Sequence, residues 1–421
     1  MKNLWPNYHM VLQVLAGAVI ALTLSACQTT HSVNSVGPNA SGGTTLGSVQ
    51  DRTYNYPSDV YLSVAIPVFD PGLPLDAQGN LDYGKVHDLD IWPQVRRLEA
   101  NRFAIETKRA LAETNAFSNL SVTPDTSATA DVYVLGKIDH SDTETLKLSV
   151  RVMDATNHMW GERTFEYRVH EGFYRDAFNQ GKNPYEPMFK HIAGYVYDLL
   201  LRRSDEDKQT IQRVAQLRYA AMYSPESMAP YLDERSTRNG TRYSLNGFPA
   251  ENNPMFQRIQ VIQAEDQAFI DNLQTNYDAF YAESDSSYLD YHRETLPIAA
   301  EIRREKARRA SQQITAVLAA VGAALLIRNS DSTEAEVGAY VLGVTSLYNL
   351  SGAVESNRNL RFQRQQLSEM GQSLDIKVTP QVVEFNNQRI ELQGSAREQY
   401  TQLRAQLKAI HAVESTPDNQ L

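Results

Sequence analysis

Cysteine is all but missing from this chain: a single residue, Cys27, among 421. Disulfides within the chain and cysteine-rich metal sites are therefore excluded, and stability has to come from packing. Positive charge is also in short supply. With 40 Lys and Arg against 50 Asp and Glu, the net charge is −10, which argues against a general nucleic-acid binder. There is no Gly-rich phosphate loop with its Lys, no HExxH metal motif and no Gly-x-Ser-x-Gly nucleophile elbow. No apolar run reaches the roughly 20 residues that a comfortable membrane span needs. What remains is a chain long enough for two or more domains, each with its own core.

The first 26 residues carry a distinct signal. Lys2 and the amino terminus are positive, Val11 to Leu24 is uncharged and apolar, and the small residues Ser25 and Ala26 precede Cys27. This layout predicts a secretory signal peptide cleaved between Ala26 and Cys27. Leu24-Ser25-Ala26-Cys27 resembles the lipobox of bacterial lipoproteins. The resemblance implies a diacylglyceryl and N-acyl lipid on Cys27 and no other cofactor, with the membrane as a partner through that anchor. It also removes the only thiol from catalysis. Gln28, in place of Asp, favours the outer membrane over inner-membrane retention by the same resemblance, facing the periplasm. Residues 27–53 are rich in Ser, Thr, Asn and Gly and read as a flexible tether.

Residues 54–203 carry alternating and helical patterns in turn. Val60 to Phe69 reads as a strand with Pro67 near its end, and Trp92-Pro93 opens a helix that runs to about Glu113. Asn115 suits a left-handed helix stop. Three strands follow, Ala130 to Ile138, Thr145 to Met153 and Trp160 to Val169, with turn chemistry at Asp154-Ala155-Thr156-Asn157. A helix over Pro187 to Arg202, with Phe189, Ile192, Val196, Leu199 and Leu200 on one face, completes the unit. The expected fold class is α+β: a single, mostly antiparallel amino-terminal sheet with helices on one face.

The elements Asn115-Ala116-Phe117, Ala130-Asp131-Val132-Tyr133 and Asp154-Ala155-Thr156-Asn157 resemble those of periplasmic assembly-type domains. This group includes the amino-terminal domain of TolB, the curli-secretion lipoprotein CsgG and the activator LpoB. The resemblance covers about the first third of the mature chain. It implies architecture rather than chemistry, since none of these elements is catalytic.

From 204 the pattern is helical, and residues 204–300 read as a helical domain without clear strands. Asp205 to Tyr223 is one helix, a Pro- and Gly-punctuated structured loop or short-helix region covers 224–255, and another helix starts near Met255. The aromatics Tyr277, Phe280, Tyr281, Tyr288 and Tyr291 at helical spacing read as core. Residues 301–370 are expected to hold long helices with an apolar hairpin, 310–327 paired with 337–354, capped by Thr333 and Glu336. Rows of small residues, Ala316, Ala320 and Ala324 on one arm and Ala339 and Gly343 on the other, allow close helix approach. Burial in the protein, self-association and membrane contact all fit such a hairpin. The upstream basic run from Arg303 to Arg309 fits either anionic headgroups or a solvated face. Residues 371–421 read as a strand over Leu374 to Val378, a β-hairpin of Val382 to Phe385 and Arg389 to Leu392 around Asn386-Asn387, and an amphipathic helix with Tyr400, Leu403, Leu407 and Ile410 inward.

Three polar clusters, His87-Asp88-Leu89-Asp90, Asp139-His140-Ser141-Asp142 and His170-Glu171, hold imidazole near carboxylate, yet none has a recognised metal-ligand spacing, and a Ser-His-Asp site assembled from distant positions stays open because triads are set by geometry. They read as solvated turns, and no metal site is expected. Two functions fit the sequence. One is a non-enzymatic lipid-anchored scaffold or partner-binding component of the envelope, forming a homo-oligomer or an envelope complex. The other is a periplasmic hydrolase or substrate-binding lipoprotein with a cleft in the Tyr-rich helical region.

Overall fold

The computed structural model describes residues 52–327 apart from 239 and 251, and residues 366–385 and 388–415. The predicted signal peptide, Cys27 and nearly all of the tether lie outside these residues. So does the second arm of the expected hairpin.

Five strands build the central sheet: β1 (Leu62–Pro67), β2 (Phe117–Thr123), β3 (Val132–Ser141), β4 (Thr145–Asp154) and β5 (Met159–Arg168), in the order β2-β1-β3-β4-β5. β1 is parallel to both its neighbours, whereas β3, β4 and β5 form an antiparallel meander. The sheet is thus mixed, a correction to the mostly antiparallel expectation. The missed strand is β2, Phe-Ser-Asn-Leu-Ser-Val-Thr. It sits at an edge, where Ser and Asn are tolerated, and its polar first half leaves no clean alternation.

On β4 the rule of two is plain. Leu146, Leu148, Val150 and Val152 are fully buried, while the outward face carries Ser149 and Arg151. Those outward residues pair across the sheet, Ser149 Oγ donating to Asp139 at 2.6 Å and Arg151 reaching Glu162 on β5. Asp131 fastens β3 to β1: its Oδ2 accepts both the N–H and the hydroxyl of Ser63 at 2.8 Å. Asp154 organises the β4–β5 turn, accepting the Thr156 N–H and the Trp160 indole N–H, while Asn157 takes φ 58°. Gly136 on β3 lies under the Phe69 ring so closely that no β-carbon fits there.

Around this sheet lie α1 (Tyr83–Asp88), α2 (Pro93–Ala112), α3 (Glu186–Leu201) and α4 (Asp205–Tyr223), the last opened by a capping box of Ser204 and Asp207. Asn115 closes the chain after α2 at φ 50°, as its type allows. A short α5 (Pro225–Met228) fits the expected short-helix region, but a two-stranded hairpin, β6 (Leu232–Thr237) with β7 (Gly240–Leu245), was not expected there. β6 buries only Leu232 and β7 alternates only between exposed and half-buried positions, so the periodic signal is weak.

Then comes α6 (Pro254–Ile327), 74 residues without a break, roughly 110 Å of helix. It passes through position 300 and carries Pro297 in its interior, where the carbonyl four residues earlier loses its usual N–H. Phe256, Ile259, Phe269, Leu273, Tyr277, Tyr288 and Leu296 are among its buried residues. The expected first hairpin arm is the end of this helix; its partner, 337–354, lies outside the described residues, so no long apolar hairpin is seen among them. Nor is any described helix long and apolar enough to cross a membrane.

The C-terminal hairpin, β8 (Gln381–Phe385) with β9 (Gln388–Leu392), and α7 (Ala396–Ser415) stand where the sequence placed them, whereas Leu374 to Val378 forms no strand and makes only an isolated bridge from Lys377 to Ser395. Tyr400, Leu403, Leu407 and Ile410 all point inward. One continuous core joins the sheet, α2, α3, α4, α6 and α7.

Candidate functional site

α2 is sandwiched between the sheet and α6, and so it is buried on more than one face. From Val95 to Ile105 nearly every side chain is inaccessible, including Arg96, Glu99 and Arg102. Charged groups held this deep need partners. Arg102 has them in full. Its guanidinium donates to Tyr281 O, Ser284 Oγ and Asp285 Oδ1 and lies 4.0 and 4.5 Å from the Tyr281 and Tyr288 ring centres.

Arg96 and Glu99 do not. They form the floor of a cleft of about 500 Å³ between the start of α2, the β3–β4 turn and the stretch of α6 around Pro297. Ser141 Oγ and Tyr288 OH donate to Glu99 Oε1 at 2.8 and 2.9 Å, and Arg96 Nη2 donates weakly to Ser141 O at 3.3 Å. Arg96 Nε stands 3.8 Å from Glu99 Oε2, an ion pair too long for a hydrogen bond. Three buried polar atoms on the residues lining this cleft have no hydrogen-bond partner: Arg96 Nη1, Glu99 Oε2 and Thr143 Oγ1. The three residues are 4 %, 1 % and 4 % exposed.

Thr143 also has φ 71°, a left-handed conformation that a β-branched residue adopts only under constraint. Asp142 imposes it. Its Oδ1 accepts the Thr145 and Glu144 N–H groups, and its Oδ2 holds His140 Nε2 at 2.9 Å. Arg303 on α6 clamps Glu144 from the far side with bonds of 2.8 and 2.9 Å.

Burial pushes the Glu99 carboxyl above the usual carboxylate range, against the opposing pull of Arg96 and the two hydroxyls. Burial likewise lowers Arg96, with Glu99 working the other way. At Asp142 burial pulls upward too, but His140 and the turn N–H groups prevail and hold it low. Elsewhere in the core, His292 packs against the Tyr174, Tyr185 and Tyr288 rings with both ring nitrogens unpartnered, and burial pulls it down to about 3. It is a neutral core side chain.

The lining is mixed: Leu89, Trp92, Val95, Tyr291, Ile298 and Ile302, with the small Ala299 among them, form an apolar stretch beside the polar and charged groups. An apolar stretch beside convergent polar groups suits a small-molecule site. A hydrolytic arrangement is not formed here. Ser141 donates to Glu99, and His140 turns to Asp142 instead of Ser141. A second cavity, of about 390 Å³, is lined by Arg218 and Arg404 among others, but those guanidiniums already serve Ala155 O and Ser127 O.

The residues singled out from sequence fall in several places. His140, Ser141 and Asp142 come to the cleft, His140 and Asp142 half-exposed at its rim. His87 and Asp88 are exposed on α1, Asp139 serves Ser149, and His170 Nδ1 accepts the Gly172 N–H. The basic run is tied to acids of this chain: Arg303 to Glu144, Arg304 to Glu171, Lys306 to Asp90 and Arg308 to Glu305. Ala26 and Cys27 lie outside the described residues, as do Ala339 and Gly343; Ala316, Ala320 and Ala324 are on the α6 backbone, their side chains outside the described set. Among the described residues no group of three or more His, Cys, Asp or Glu is placed to hold a metal ion. Arg96, Glu99 and Thr143 were not singled out at all. Arg96 and Glu99 look in sequence like an ordinary surface pair one helical turn apart. No family model, curated protein or solved structure matches the chain.

Proposed function

We propose that the chain is a non-catalytic, lipid-anchored protein of the outer membrane's periplasmic face that captures a ligand in the cleft between α2, the β3–β4 turn and α6. The observation that carries this reading is the set of three unpartnered polar atoms on side chains more than nine-tenths buried that line one cavity. Leaving such atoms unmade costs about 1–3 kcal/mol each, a cost usually found where a ligand restores the bonds.

Native mass spectrometry of the protein purified from its own envelope, beside an Ala299→Trp variant, tests it. The added indole fills a cleft wall without entering the core. Wild type is expected to carry a non-covalent small-molecule adduct that the variant lacks; identical spectra would overturn the reading. The anchor is tested separately. Cys27→Ser is expected to move the protein from the membrane to the soluble fraction and to remove the acyl mass, and unchanged fractionation and mass would remove the lipid from the proposal.

A scaffold role through self-association is the second reading. In its favour, α6 continues from Ala300, its last fully buried residue among the described side chains, to Ile327, about 40 Å of helix carrying the first row of small residues. The resemblance to assembly-type domains supports the same reading at the level of architecture.

A further inference from the structure

The chemistry of the cleft narrows what can occupy it. The charges lining it cancel: Asp90, Glu99 and Asp142 face Arg96, Arg303 and Lys306. The rim charges are moreover engaged with one another, Lys306 with Asp90 at 3.8 Å, Asp142 with His140, and Arg303 with Glu144. A carboxylate on the floor would meet Arg96 favourably and Glu99 unfavourably; an ammonium group would meet the reverse. Neither gains a net partner.

The unpartnered atoms set a further condition. Arg96 Nη1 is a donor and Glu99 Oε2 is a carboxyl oxygen, and the two side chains are held side by side by the 3.8 Å ion pair. A ligand group that satisfies both must carry an acceptor and a donor next to each other. A primary amide does so: its carbonyl accepts from the guanidinium while the N–H on the same side donates to the carboxyl. It also pairs with a carboxyl in either protonation state, because a protonated Glu99 would donate to the carbonyl instead. Thr143 Oγ1 can serve as donor or acceptor to the same group. Beyond the floor, Trp92, Tyr291, Ile298 and Ile302 offer an apolar lining, and about 500 Å³ suits a small molecule.

We propose that the cleft binds an uncharged amphipathic small molecule, with an amide end between Arg96 and Glu99 and an apolar chain or ring against Trp92, Tyr291, Ile298 and Ile302. This rests on the reading of the cleft as a ligand site.

The probes are hexanamide, hexanoate and hexylamine, which share one apolar chain and differ in the end group. Each is titrated against the full-length protein in detergent by saturation-transfer NMR, with Ala299→Trp as the blocked control. Hexanamide is expected to bind at least about tenfold more tightly than either charged analogue, the effect of one misplaced charge or hydrogen bond in a buried site. Glu99→Leu is expected to abolish that preference, and its melting curve establishes that it is folded. Hexanoate or hexylamine binding as tightly as hexanamide, with loss in Ala299→Trp, would overturn the amide assignment and leave the cleft as a ligand site. Binding unaffected by Ala299→Trp, or no binding by any of the three, would overturn both.

Discussion

Arg102→Met destabilises the protein by about 3 kcal/mol, and Arg102→Lys recovers little of the loss. The methionine keeps the stem and the packing of the buried side chain but removes the cation and its planar fork. Three hydrogen bonds from α2 to α6 then disappear together, to Tyr281 O, Ser284 Oγ and Asp285 Oδ1. A hydrogen bond involving a charged group contributes about 1.5–3 kcal/mol, and losses within one network do not add, so the total stays near the upper end of a single bond. The two ring contacts, at 4.0 and 4.5 Å from Tyr281 and Tyr288, go as well. Lysine restores a point charge but cannot reach three acceptors while lying over two rings. Urea unfolding followed by circular dichroism reads the difference, and a loss below about 1 kcal/mol for Arg102→Met would show that the α2–α6 contact rests on apolar packing alone. Arg102 lies one turn beyond Glu99 on the same helix, so the bond it makes to α6 also fixes the spacing of two cleft walls.

Helices with one dry face were legible in the sequence, because a single stripe of apolar residues reports a single packing partner. The faces of α3, α4 and α7 came through in this way, as did the turn at Asp154, whose side chain makes its own local bonds. α2 was legible as a helix but not as a site. Its buried stretch interleaves Val95, Leu98 and Phe103 with Arg96, Glu99 and Arg102, and a charged residue on a helix normally signals solvent. What buried these charges is α6, which the sequence places nearly two hundred positions further on. Thr143 and Glu144 were hidden for a related reason. They sit in a polar turn beside the half-exposed His140 and Asp142, yet they are 4 % and 2 % exposed because α6 closes over them. The strand β2 was missed because a parallel partner reached through a crossover leaves no hairpin signal, and β6 because only its Leu232 is buried, while β7 alternates only between exposed and half-buried positions.

Asp266→Asn is expected to stabilise the protein at pH 8 and to do little at pH 4. The carboxyl is 3 % exposed, Tyr400 OH donates to its Oδ2 at 3.1 Å, and its Oδ1 has no hydrogen-bond partner. Burial raises its pKa to about 6 from the ordinary 3.8, with Arg404 and the Tyr400 hydroxyl pulling the other way. The folded state therefore keeps this proton up to about pH 6, where the unfolded chain has already lost it. Such a group favours folding fully below pH 3.8, and that contribution is lost as the pH rises through about 6. Above that range the native protein holds a buried carboxylate, and the interval between the two values corresponds to about 3 kcal/mol. Asparagine has nearly the same shape, still accepts from Tyr400 and has no charge to bury, so the whole interval returns as added stability. His292 titrates in the opposite sense. Its pKa of about 3 means that acid protonates the unfolded chain first and weakens the fold as the pH falls below 6.5. Because His292 is common to both proteins, it cancels in their difference. Denaturant midpoints of wild type and Asp266→Asn, measured from pH 4 to pH 8, should diverge between pH 4 and about 6.5; a gap that does not change with pH would mean that Asp266 is solvated in the native protein.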